Sequence, residues 1–131
     1  AGDTRMSGNW RQILMSLRRH TPFVSSVGML TPDALKGLEA ALLEGRCLLV
    51  DVREKHEHEA GHIPLSVNLP LSQAGKWSKE LDRDRPLILY CRTTNRSKRC
   101  AEGLIGMGFR DVRVLNGGYL AWSASGLSGR F

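Results

Sequence analysis

The continuous apolar run Leu87-Ile88-Leu89-Tyr90 stops at Cys91, gives way to the polar stretch Arg92 to Ser97, and is followed by helix-patterned sequence. This combination constrains the chain more than any other feature. Four consecutive apolar residues have no polar face to show to solvent, so they read as a strand covered on both sides, as in a parallel sheet flanked by helices. Leu48 to Val52 reads the same way, and Ser66 to Leu69 and Val112 to Leu115 are further short strands. Helical patterns alternate with them. Thr31-Pro32-Asp33 is a helix start, with Leu35, Leu38 and Leu42 on one face and Gly45 as the stop. Glu54 to Ala60 reads as a short helix closed by Gly61, Leu71 to Leu81 as a helix with Trp77 half-buried, and Ser97 to Met107 as a helix ended by Gly108. After the turn Asn116-Gly117-Gly118, Tyr119 to Ala124 is a last helix with Trp122 facing the core. Strands and helices joined by short links imply an α/β fold, a parallel sheet with right-handed crossovers and helices on both faces. A chain of 131 residues has room for five or so strands around one core.

Chemistry concentrates where the central run ends. A cysteine at the carboxyl end of a buried strand, facing a helix start, occupies the position at which open α/β sheets place reactive groups. Unpartnered N–H groups of the loop and the first helical turn, together with the helix dipole, stabilise an anion there. Arg92 and Arg96 add full charges, favouring thiolate over thiol and attracting an anionic substrate. Cys91 is therefore the expected nucleophile. Arg92, Thr93, Thr94, Asn95, Arg96 and Ser97 are the expected substrate-binding residues, the hydroxyls and the amide supplying donors. Cys100, one turn into the helix, reads as a small core residue packed on the sheet rather than a resolving thiol. Asp51 and Arg53, at the end of a buried strand, are expected to pair as structural support, because a buried carboxylate requires a partner.

His58-Glu59-Ala60-Gly61-His62 matches the H-E-x-x-H pattern of zinc proteases, which needs both histidines on one continuous helix. Gly61 and Pro64 interrupt that helix, so no metal site is expected, and His56 and His58 read as exposed polar positions. No cofactor is expected either. The net charge of +6 suits an anionic substrate or an acidic partner. It does not by itself indicate nucleic acid, since no strand interleaves aromatic and basic residues to stack bases. Three cysteines without paired spacing fit a reducing compartment. The cytoplasm is the expected location, with an organelle after removal of a targeting segment as the alternative. No apolar run approaches the length of a transmembrane segment.

Residues 1–29 read as a basic extension and 30–131 as the domain. In the extension Trp10, Ile13, Leu14 and Leu17 recur at helical spacing, suggesting a short amphipathic helix that packs on the domain or docks a partner. His20 through Gly28 reads as linker.

Three motifs together resemble the single-domain rhodanese (thiosulfate sulfurtransferase) family. They are Leu49-Val50-Asp51-Val52-Arg53 with Glu57 and Gly61-His62-Ile63-Pro64; Tyr90-Cys91-Arg92 through Arg96-Ser97; and Leu115-Asn116-Gly117-Gly118-Tyr119-Leu120-Ala121-Trp122. The resemblance runs from about Leu30 to Leu127. It implies a rhodanese-like, five-stranded parallel sheet and a persulfide on Cys91. The implied activity is transfer of a sulfane sulfur from thiosulfate or a related small anion to cyanide, a small thiol or a protein cysteine. Two positions depart from the family pattern, which usually has glycine in place of Thr94 and of Leu65. The first is expected to alter loop shape, since β-branched residues avoid the backbone angles open to glycine. One rival reading is a persulfide relay or regulatory module that works through a protein partner. Another is a cysteine phosphatase or arsenate reductase, disfavoured because only four residues separate Cys91 from Arg96 and a phosphate cradle needs one more.

Overall fold

The computed structural model describes residues 27–126. The amphipathic helix expected over Trp10 to Leu17 lies outside them. The strands are β1 (Gly28–Leu30), β2 (Leu48–Asp51), β3 (Val67–Asn68), β4 (Leu87–Tyr90) and β5 (Val112–Leu115). They form one parallel sheet in the order β1-β5-β4-β2-β3. The helices are α1 (Pro32–Lys36), α2 (Glu39–Leu43), α3 (Lys55–Ala60), α4 (Ala74–Trp77), α5 (Asn95–Gly106) and α6 (Gly118–Ala124), with a 3₁₀ turn at Leu71–Gln73 ahead of α4.

Right-handed crossovers running in opposite directions put their helices on opposite faces. From β2 the chain moves outward to β3, and from β4 it moves the other way to β5. Hence α1, α2, α3 and α6 cover one face, where Leu35, Ala41, Ile63 and Trp122 pack on Leu49, Ile88, Tyr90 and Leu115. The 3₁₀ turn, α4 and α5 cover the other, where Trp77, Cys100, Ala101 and Leu104 pack on Val50, Leu87, Leu89 and Val114. Strand side chains alternate between the faces, so Cys91, in phase with Leu87 and Leu89, lies on the α5 side. The crevice at the ends of β2 and β4, where the connections part, is the switch point at which such sheets build sites.

Several expectations are corrected. Val27-Gly28 is not linker: Val27 packs against the core and Gly28 opens β1, paired to Arg113. Thr31 caps as expected, accepting from the Ala34 amide at 3.1 Å, but Gly37 and Leu38 divide the helix expected through Gly45 into α1 and α2. Leu71 to Leu81 gives only the 3₁₀ turn and α4, and Trp77 is buried, its indole N–H donating to the Pro70 carbonyl. Helix α5 starts at Asn95, two residues before the expected Ser97.

Leu65 is the one non-glycine residue with positive φ among the described residues, at 70°. Pro64 and Leu65 form the corner of a turn closed by the Ser66 amide on the Ile63 carbonyl, with proline and positive φ in the order of a type II turn. An L side chain is strained there. Because Leu65 is 42 % exposed, removing its side chain forfeits little burial. Leu65→Gly is expected to stabilise the domain by about 1 kcal/mol, read as a higher urea midpoint at unchanged slope.

Candidate active site

The loop from Cys91 to Thr94 is held from outside by α6. The Tyr119 amide donates to the Cys91 carbonyl at 2.8 Å, and the Leu120 amide to the Arg92 carbonyl at 3.1 Å. The peptides are trans, so each N–H points opposite its carbonyl, and the amides of Arg92 and Thr93 are turned away from α6. This close approach requires glycine at 118. With φ of 58°, a Cβ there would run into the carbonyl oxygens of Cys91 and Thr93.

Thr94 has φ of −135°, outside the region that disfavours β-branched residues, so the loop distortion expected from the missing glycine does not arise. Its hydroxyl instead accepts from the Gly117 amide at 3.0 Å, tying the loop to the turn before α6. Cys91 is buried, 1 % exposed. The Ser97 amide donates to its Sγ at 3.4 Å, and the thiol lies 3.4 Å from Ser97 Oγ, which donates to the Thr94 carbonyl. The sulfur thus sits at the N-terminus of the twelve-residue α5, against a first-turn amide that has no partner within the helix. Arg92, Thr93 and Asn95 are exposed around it.

Arg96 is committed elsewhere. Its guanidinium forms a two-point ion pair with Glu57 of α3, at 2.7 and 2.9 Å. The hydrogen bond from Arg96 holds the Glu57 carboxyl down at about 2. Among the described residues Arg92 has no ion-pair partner, which makes it the loop cation open to a ligand.

Beneath lies a second charged cluster. Asp51, fully buried, accepts from the backbone N–H and the guanidinium of Arg53 and from His58 Nδ1 at 2.8 Å. Burial pushes the Asp51 carboxyl up, but the hydrogen bonds from Arg53 and His58 outweigh it and hold the group below its ordinary range. Arg53 also donates to the Gly61 carbonyl and lies 4.6 Å from the Tyr119 ring centre, joining this cluster to α6. His58 is therefore not a free surface residue as expected, whereas His56 is exposed. Helix α3 ends at Ala60, and the rings of His58 and His62 stack 3.8 Å apart with His62 Nδ1 donating to the His58 carbonyl. Among the described residues no group of three potential ligands could hold a metal ion.

The family model for the rhodanese-like domain matches residues 34–125, spanning both clusters. The chain belongs to the rhodanese family. Over 82 residues this rhodanese is 40 % identical to the thiosulfate sulfurtransferase GlpE of Pseudomonas syringae, covering 63 % of this chain and 77 % of that one. A rhodanese-related protein from Thermoplasma volcanium superposes with a TM-score of 0.66 at 27 % identity, over 76 % of this chain and 93 % of the other. A rhodanese-like domain protein from Staphylococcus aureus gives 0.65 at 28 % identity, over 73 % and 91 %. The five-stranded parallel α/β architecture of this rhodanese agrees with those neighbours. No helix among its described residues is long and apolar enough to cross a membrane.

Sequence reasoning missed two groups around the sulfur. Glu57 is 39 residues from Arg96, and only its acidic character within the first motif hinted at a cationic partner. The α6 amides that grip the loop left a fainter signal, the glycine pair at 117 and 118.

Proposed function

We propose that this rhodanese-type sulfurtransferase works through a persulfide on Cys91 with thiosulfate as donor. The supporting observation is the placement of Sγ at the α5 N-terminus, 3.4 Å from the Ser97 amide, in the loop that carries Arg92, exposed and without an ion-pair partner among the described residues. The Cys91 thiolate attacks the outer sulfur of thiosulfate. A new S–S bond forms at Sγ, the sulfur–sulfur bond of thiosulfate breaks, and its electron pair leaves with sulfite. Cyanide or another thiolate then attacks the terminal sulfur and restores the Cys91 thiolate, giving thiocyanate or a new persulfide. The Ser97 amide, with the inward amides of Arg92 and Thr93, stabilises the sulfur anion, while Arg92 attracts the donor's charge. Thr94 and Arg96 shape the loop rather than bind the donor, Thr94 through Gly117 and Arg96 through Glu57. The four-residue spacing to Arg96, and its engagement by Glu57, argue against a phosphate cradle. Cys47, Cys91 and Cys100 are unpaired thiols, which supports work in a reducing compartment such as the cytoplasm.

Initial rates with thiosulfate and cyanide varied together test this reading. A covalent intermediate gives parallel double-reciprocal lines, and intersecting lines or no thiocyanate would contradict it. Glu57→Gln removes the charge that holds Arg96 and is expected to lower the rate about tenfold, the loss of roughly one charge-assisted hydrogen bond. It should also flatten acid unfolding. A carboxyl held at about 2 in the folded chain against an ordinary 4.5 contributes stability above pH 4.5 that is lost as the pH falls through 2. Solvent around Glu57 keeps this contribution small.

A further inference from the structure

On the α5 face of the sheet, a half-open cavity of about 430 Å³ lies between α4 and α5, a size within the range of small-molecule sites. Leu71, Ala74, Leu104 and Met107 give it an apolar wall. Burial pushes the Cys100 thiol up to about 11, so it stays neutral and belongs with that wall. Two helical glycines, Gly75 and Gly103, line the opening. Neither has a positive φ, and a Cβ on either would meet nothing within 4 Å. Glycine within a helix costs about 0.5–1 kcal/mol relative to alanine, and neither a turn nor a close approach requires it here. What the glycines supply is open space.

Ser78, 1 % exposed, lines the same cavity with its hydroxyl closed off from solvent. Lys79 and Arg99 complete the lining as exposed cations, with no acidic residue among the lining groups. An apolar body and two exposed cations complement an amphiphilic anion. We propose that this cavity binds a free medium-chain carboxylate, its hydrocarbon tail over Gly75 and Gly103 and its carboxylate held by Lys79 and Arg99. The site is separate from Cys91 and does not depend on the sulfur chemistry there.

Titration of the full ¹⁵N-labelled chain with octanoate tests this, with octan-1-ol as the uncharged probe. Octanoate should shift the amides of Gly75, Ser78 and Gly103 saturably, and octan-1-ol should bind at least about tenfold more weakly, the loss of one charge-assisted contact. Gly103→Leu and, independently, Gly75→Leu should fill the cavity and abolish the shifts while keeping a folded spectrum. Exchange of both Lys79 and Arg99 for alanine should weaken octanoate but not octan-1-ol. No saturable shift at millimolar octanoate, equal binding of the two probes, or undiminished binding by both leucine variants would overturn the proposal. A dimer in sedimentation that Gly103→Leu dissociates would assign the cavity to a second copy of the chain and overturn it equally.

Discussion

Cys91→Ser is expected to eliminate thiocyanate formation from thiosulfate and cyanide, lowering turnover by at least about 10³-fold, while the domain stays folded. A serine hydroxyl is far less nucleophilic than a thiolate and cannot form the sulfur–sulfur bond that the transfer requires. The fold should tolerate the change, because a hydroxyl can keep the contacts that the sulfur makes with the Ser97 amide and Oγ. Two controls separate this site from the other thiols. Cys47 and Cys100 are buried, and burial pushes each thiol up to about 11, so neither is ionised to a useful extent near neutrality. Exchange of either for serine should leave the rate within about twofold, since each is a neutral, buried thiol outside the Cys91 to Ser97 loop. Turnover surviving in Cys91→Ser would move the nucleophile elsewhere.

Asp51→Ala is expected to destabilise the domain by about 3–5 kcal/mol, the usual consequence of removing one partner of a buried ion pair. Arg53 is 5 % exposed and would lose its bidentate carboxylate partner, keeping the Gly61 carbonyl and the faces of Tyr90 and Tyr119. His58 would lose the acceptor that orients its ring. Asp51→Asn keeps the shape and separates charge from packing. Because the folded carboxyl is held below its ordinary value, its contribution is present above about pH 4 and lost as the pH falls further, so the asparagine variant should show a shallower acid limb. Urea unfolding across pH reads both effects. A loss below about 1 kcal/mol for the alanine variant would mean that Arg53 finds other compensation.

The parts of the molecule legible in the sequence are those specified by neighbours in the chain. Strands β2 and β4 are built on short apolar runs, and their covering on both faces follows directly from that. Strand β1 was hidden because Gly28-Met29-Leu30 pairs with β5 alone at the sheet edge, where burial imposes little pattern. Leu71 to Leu81 has helical spacing, yet Gly75 and the lack of a side-chain cap leave a single turn of α-helix. Cys91 was legible because an apolar strand ends abruptly at a basic loop. The groups around it were not, since Glu57 and Tyr119 arrive from distant elements. For the same reason Arg96 read as an open cation, and His58, seven residues from Asp51, read as a surface residue.

The most direct measurement is the intact mass of the reduced chain after brief exposure to thiosulfate, for wild type and Cys91→Ser, before and after cyanide. Persulfide transfer at Cys91 requires a gain of one sulfur, about 32 Da, on wild type alone, reversed by cyanide with release of thiocyanate. An unchanged mass on folded, reduced wild type would contradict thiosulfate as the donor, and the same gain on Cys91→Ser would contradict Cys91 as the carrier.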